Sequence, residues 1–194
     1  MNVLPTMNVL QPGLRARARG FSMAELMAVV AIVSVLALLA TYSVRKYVAS
    51  SKTSEAIEMI GNIKAAEETY KDETFGYLNV SPDLTTSDSF YPSNSKPGQQ
   101  KMNFAGGPTS IQTAWQQLGV NSAGPVLFVY ACTAGAAGTA PSSLGSDITV
   151  GNWPATVSSP WYVVKAKADL GGQGVYTVFV GTSFSGDLYS ANKD

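Results

Sequence analysis

Apolar and polar positions divide the chain into stretches with different periodicities. Residues 21–40 form an apolar run in which Glu25 is the only ionisable side chain. A helix of that length measures about 30 Å, which equals the thickness of a bilayer core. The pattern therefore predicts a transmembrane helix, which we assign to residues 21–42. A carboxylate inside such a span is costly, so Glu25 is expected to have a partner or to lie on a functional path.

The helical pattern continues beyond the apolar run, over residues 43–76. One apolar face recurs at spacings of three and four residues, formed by Ala56, Ile60, Ile63, Ala66 and Tyr70. Charged side chains fill the other positions and are interpreted as a solvated face: Glu55, Glu58, Lys64, Glu67, Glu68 and Lys71. Gly76 is predicted to end the helix in the left-handed conformation that favours glycine.

Polar residues dominate the next stretch, and strand-like residues follow it. Residues 77–124 are rich in Ser, Thr, Pro, Asn and Gly and predict a surface loop region, with one short amphipathic helix that follows Pro108 and ends at Gly119. Residues 125–194 contain three runs of β-branched and aromatic residues, "PVLFVYACT", "WYVVKAKADL" and "VYTVFVGTSF", and a brief final strand is predicted around Leu188.

Together these elements predict an α+β fold in which the long N-terminal helix packs on a three- to four-stranded antiparallel sheet. Side chains of the second run alternate between the two faces of the sheet, and one of these faces is predicted to pack against the helix. The side chains expected on that face are Tyr162, Val164, Ala166 and Ala168.

Composition narrows the possible functions. The 194 residues include no histidine and one cysteine, Cys132, which excludes histidine-based triads, Cys/His metal clusters and an intramolecular disulfide. The adjacent acids Glu67 and Glu68 point to different sides of a helix and do not form an acid/base pair. We therefore expect neither an enzyme nor a cofactor. The formal net charge is zero, which gives no indication of nucleic-acid binding.

Basic residues before the apolar run predict the topology. Arg15, Arg17 and Arg19 precede Phe21, so the N-terminus is expected in the cytoplasm and the C-terminal part on the other side of the membrane. A cleaved secretory signal is one alternative, but this run is longer than an ordinary signal and lacks a clean A-x-A site. A plain signal anchor is a second alternative, and it leaves Glu25 unexplained.

The stretch "RGFSMAEL" resembles the prepilin signal of type IV pilins and of the pseudopilins of type II secretion. The resemblance implies cleavage after Gly20 by a membrane prepilin peptidase and N-methylation of the new terminus at Phe21. Residues 1–20 are then a leader peptide, with either Met1 or Met7 as the translation start. It further implies that Glu25 pairs with the terminal amine of a neighbouring subunit during filament assembly.

The later part of the chain resembles the globular part of pilins from myxobacteria and their relatives. The similarity lies in "WQQLGVNSAGPVLFVYAC" and "AKADLGGQGVYTVFVGTSFSGDL". Some loops of those proteins could bind calcium, but this chain keeps Asp169 and has Gly171, Gly172 and Gln173 where further acids would be needed, so no metal is expected. The chain also lacks the proline that pilins usually have shortly after the membrane run.

These resemblances imply the pilin fold and a structural subunit of a type IV pilus. Its partners are copies of itself, the prepilin peptidase, the membrane and the inner-membrane assembly platform. The subunit is expected first in the inner membrane and then in a filament on the cell surface. A pseudopilin is the first alternative, and a membrane-anchored exported binding domain that never assembles is the second.

Overall fold

The computed structural model describes residues 20–93 and 96–192, without the side chains of residues 45, 46 and 49. The chain divides into two compact units between Ser43 and Val44. The helix and strands observed in these residues make the fold α+β, as predicted, and this arrangement is consistent with the pilin fold. The leader residues before Gly20 lie outside the described residues.

The helix α1 runs over Met23–Thr74 and includes 52 residues. In the second unit its predicted apolar face is confirmed, since Ala56, Ile60 and Ile63 are buried, while Ala66 and Tyr70 are partly buried and pack against the same cluster. Met59 joins this face. The buried stripe holds the helix on the sheet because removal of apolar area from water stabilises the contact by about 25 cal/mol per Å².

Two acids predicted on the solvated face of α1 instead accept hydrogen bonds from backbone amides outside the helix. Glu67 is 0% exposed, so its assignment to solvent is wrong. Glu55 accepts hydrogen bonds through Oε1 from the backbone amides of Leu127 and Phe128. The periodicity of a sequence depends only on the type of residue at each position. It therefore does not predict that a carboxylate turns inward to accept hydrogen bonds from amides outside the helix.

The end of α1 also differs from the prediction. The left-handed residue is Phe75, with φ of 63°, whereas Gly76 has no positive φ. The amide of Phe75 donates to the carbonyl of Lys71 at 2.8 Å, which is the hydrogen bond of an αL helix cap. After this turn the amide of Leu78 donates to the carboxylate of Glu67 at 2.9 Å.

Four antiparallel strands form one open sheet in the order β1, β2, β3, β4. Their bounds are Val129–Gly135, Trp161–Ala168, Thr177–Thr182 and Tyr189–Ala191. The predicted face of β2 is confirmed: Tyr162, Val164, Ala166 and Ala168 belong to the core cluster that contains Ile60 and Ile63. A Cβ on Gly181 of β3 would lie 2.8 Å from Cγ2 of Ile60, so the glycine permits the close approach of helix and sheet.

The opposite face of the sheet carries a second core, which the sequence analysis did not anticipate. Val163, Val178 and Val180 pack there under residues from the connection between β1 and β2 and from the polar stretch: Leu144, Ile148, Val157, Leu84 and Phe90. Lys165 is fully buried beneath them. Its ammonium uses all three protons, towards the carbonyls of Leu84 and Leu144 and towards Oδ2 of Asp147.

The polar stretch after α1 is not only a surface loop, and that interpretation is wrong for part of it. Leu84 and Tyr91 are buried, and Tyr91 exchanges backbone hydrogen bonds of 2.7 Å with Tyr130 of β1. The predicted short helix is present as α2, Thr109–Leu118, and Gly119 caps it with φ of 74°. The stretch thus covers the outer edge of β1 and contributes to both cores.

Candidate functional site at the start of the long helix

Glu25 lies in the first turn of α1 and is hydrogen-bonded to Ser22, the residue before the helix. Its Oε2 accepts from the amide of Ser22 at 2.8 Å and from the hydroxyl at 2.9 Å. In return, the amide of Glu25 donates to Oγ of Ser22 at 3.2 Å. This reciprocal arrangement is a capping box, whose sequence pattern is Ser-x-x-Glu. "SMAE" matches that pattern, and the sequence analysis missed it.

The capping box gives Glu25 a local partner without using all of its capacity. Both bonds to Ser22 use Oε2. A carboxylate has two oxygens and about four acceptor positions, so Oε1 can accept from a further donor. An N-terminal amine is such a donor. The arrangement is therefore able to satisfy the first turn of the helix and to bind a cation at the same time.

Gly20 and Phe21 lie in exposed backbone that precedes the helix, a few residues before Glu25 in the sequence. Phe21 is 82% exposed, and a Cβ on Gly20 would meet no atom of residues 20–93 and 96–192 within 4 Å. These residues therefore give no steric reason for a glycine at this position. An enzyme that cuts between these two residues would find accessible, non-helical backbone. Arg15, Arg17 and Arg19 lie outside the described residues.

The helix that carries Glu25 presents a long apolar surface. Met23–Val44 are 22 residues with a mean hydropathy of 2.5, which is long and apolar enough to cross a membrane, and none of its most apolar window is buried within the protein. Large apolar side chains such as Leu26, Val30 and Leu39 are more than half exposed. Soluble proteins rarely expose so large an apolar patch, so this surface needs lipid or other apolar helices as its environment.

The aliphatic hydroxyl groups of this span are satisfied within the helix. Ser34, Thr41 and Ser43 each donate to the carbonyl four residues earlier, at 2.7, 2.8 and 3.0 Å. Such bonds remove polar groups from the apolar surroundings, where an unpaired hydroxyl would be costly. Glu25, by contrast, keeps the acceptor capacity of Oε1 for a partner outside its own helix.

The loop of Asp169, considered for calcium, is stabilised by backbone amides. The carboxylate accepts hydrogen bonds from the backbone amides of Gly172, Gln173 and Gly174 at 2.7, 3.1 and 2.8 Å. These bonds lower the pKa of Asp169, and the bond from Gly174 contributes most. Among residues 20–93 and 96–192, no three His, Cys, Asp or Glu side chains come together as a ligand set for a metal.

Comparison with known proteins identifies the N-terminal segment. Residues 15–41 match the family model described as the prokaryotic N-terminal methylation motif, which is the prepilin signal of type IV pilins and pseudopilins. This motif implies processing by a prepilin peptidase and assembly into filaments with membrane machinery. No curated protein and no solved structure matches the chain, so the similarity of its globular part to myxobacterial pilins stays a prediction.

Proposed function

We propose that this chain, which carries the prepilin signal of type IV pilins and pseudopilins, is the precursor of a structural subunit of a type IV pilus. The observation that carries the proposal is the position of Glu25, in the first turn of an exposed apolar helix and four residues after Phe21. A tether that only anchors a domain would need at most the helix cap that Oε2 provides, and not the remaining acceptor capacity of Oε1.

Processing is the first step of the proposed mechanism. The basic residues Arg15, Arg17 and Arg19 keep the leader in the cytoplasm, where the peptidase cuts after Gly20. The new terminus is the amine of Phe21, which becomes N-methylated. Residues 1–20 are removed, and residues 21–42 anchor the mature subunit in the inner membrane with the rest of the chain exported.

Assembly is the second step. The apolar span leaves the lipid and packs against the spans of other copies at the membrane assembly platform, so it never faces water. Glu25 accepts the Phe21 amine of a neighbouring copy. Two opposite charges are thereby paired in an apolar filament core, where either charge alone would be strongly destabilising. Only a neighbour displaced by the right axial step brings its amine to the acid, so the pair also sets the register.

A pseudopilin of a type II secretion system is the second candidate, because the same prepilin signal serves both kinds of filament. A large outward loop would suit a surface filament, but Leu84, Phe90 and Tyr91 of the polar stretch after α1 are buried, so this stretch does not separate a pilus from a pseudopilin.

Deletion of the gene separates these candidates. We expect the deletion strain to lose filaments from the cell surface while type II secretion continues, with restoration by the wild-type gene. Electron microscopy of the cells and an assay of exported enzymes in the medium provide the two readouts. Loss of secretion with intact surface pili would instead identify a pseudopilin, and loss of neither would favour the exported binding domain that does not assemble.

A further inference from the structure

A buried carboxyl group joins three segments of the globular unit. Glu67 of α1 is 0% exposed. Its Oε2 accepts from the amide of Leu78, in the segment after the helix, at 2.9 Å, and its Oε1 accepts from the thiol of Cys132 in β1 at 3.2 Å. Neither donor carries a charge. An ionised carboxylate with only neutral donors is costly in such a site, whereas the neutral acid costs less, because its O–H can donate to Sγ of Cys132 when it no longer accepts from the thiol.

The segments joined by Glu67 are also bonded to each other. The amide of Ser81 donates to the carbonyl of Cys132 at 2.7 Å, and the amide of Cys132 donates to Oγ of Ser81 at 3.2 Å. Residues 78–81 therefore lie between the helix and the edge of β1. Movement of this segment away from Glu67 would break these bonds and admit water to the carboxyl group.

The charged groups near Glu67 are engaged with one another. Lys71 donates to the hydroxyl of Tyr77 at 3.0 Å and lies 3.6 Å from Glu68, while Tyr77 donates to Glu68 at 2.9 Å. The positive charge of Lys71 is thus paired with Glu68 rather than with Glu67. From the sheet, the titratable groups that face Glu67 are the thiol of Cys132 and the phenol of Tyr162.

Glu67 is the group of this cluster that titrates near neutral pH. Burial raises the pKa of Glu67 from 4.5 to about 7, with a further rise from Glu68, although the Leu78 amide and the Cys132 thiol act to lower it. Burial also raises the pKa values of Cys132 and Tyr162, so both stay neutral over the range in which Glu67 changes charge.

We propose that Glu67 is a protonation-controlled latch, which holds residues 78–81 and β1 against the helix when it is neutral and releases that segment when it is ionised. The closed form binds a proton more tightly than an open form, in which a hydrated carboxyl group regains its ordinary pKa. Closure is therefore fully favoured below the ordinary pKa of 4.5 and is weakened as the pH rises through about 7. The latch does not depend on the proposed function, because it lies within the globular unit.

Amide hydrogen exchange on the full-length chain in non-ionic detergent micelles tests the latch. After correction for intrinsic exchange rates, we expect the opening equilibrium of residues 78–81 to grow about 50- to 100-fold between about pH 5 and about pH 8. Glu67→Gln keeps an acceptor for the Leu78 amide but cannot ionise, so its opening should not change with pH. Glu58→Gln is the matched control, since it removes one charge at an exposed position of the same helix and should behave like wild type.

Two results would overturn the proposal: wild-type opening that is independent of pH, or a Glu67→Gln variant that keeps the wild-type slope. Carboxyl carbon shifts in NMR spectra of the wild-type chain provide a second measurement that needs no variant to fold. A Glu67 midpoint near 7 supports the latch, and a midpoint near 4.5 contradicts it.

Discussion

Glu25→Gln should leave the subunit processed but fail to build filaments. Glutamine keeps an oxygen that can accept from the Ser22 amide, so the capping box at the start of α1 can persist. It loses the negative charge, and the Phe21 amine of the neighbouring copy would then be unpaired in an apolar core. We expect the amount of filament sheared from the cells to fall at least ~10-fold, while immunoblots of membranes show a mature subunit at its usual level.

Two further variants separate charge pairing from helix capping. Ser22→Ala removes the hydroxyl that bonds to Glu25 but keeps the acid, so it should assemble nearly as well as wild type. Glu25→Ala removes both the cap and the charge and should assemble no better than Glu25→Gln. Normal filaments in Glu25→Gln combined with loss in Ser22→Ala would show that Glu25 acts as a helix cap rather than as an assembly residue.

Gly20→Asp should leave only the uncut precursor. A Cβ at Gly20 would meet no atom within 4 Å in the part of the chain that the structure describes, so the substitution should leave that part of the fold intact. It does place bulk and charge where a peptidase must approach the backbone closely. We expect the amount of the mature form to fall to roughly a few per cent of its wild-type level, and we expect a smaller decrease for Gly20→Ala. Immunoblots separate the precursor from the mature form, because the two differ in mass by leader residues 1–20.

Gly186→Asp is the matched control for Gly20→Asp. Gly186 is also exposed with open space around its Cα, so it receives the same added charge and volume at a position remote in sequence from the cleavage site. It should be cut normally. Equal processing of both aspartate variants would contradict the role of Gly20.

The elements of this fold with strong periodicity could be predicted from the sequence. The apolar face of α1 and the inward face of β2 both follow repeats of apolar residues, and both are confirmed by the buried cluster that contains Ile60 and Tyr162. Gly119 ends α2 as expected, because a left-handed cap favours glycine.

The features that were missed depend on contacts between residues far apart in the chain. Glu67 is buried because Leu78 and Cys132 supply donors, and Lys165 is buried because carbonyls of Leu84 and Leu144 accept its protons. A charged residue type predicts exposure unless such partners are known.

The candidate site shows a different limit of sequence-based prediction. The pattern of Gly20, Phe21 and Glu25 was recognisable because its residues lie close together in the sequence, and the family model matches the same region. The capping box of Ser22 and Glu25 is equally local, but it was not predicted, because an acid in an apolar run indicates a partner outside its own helix. The Phe21 amine of a neighbouring copy is outside a single chain, so this pairing remains a proposal.

Mass spectrometry of intact protein and N-terminal peptides from material sheared off the cell surface tests the central proposal most directly. We expect an abundant filament subunit that begins at methylated Phe21, which would establish processing, export and assembly in one sample. A subunit that begins at Met1 or Met7 and stays in the membrane fraction would contradict the proposal and identify the apolar run as a plain anchor.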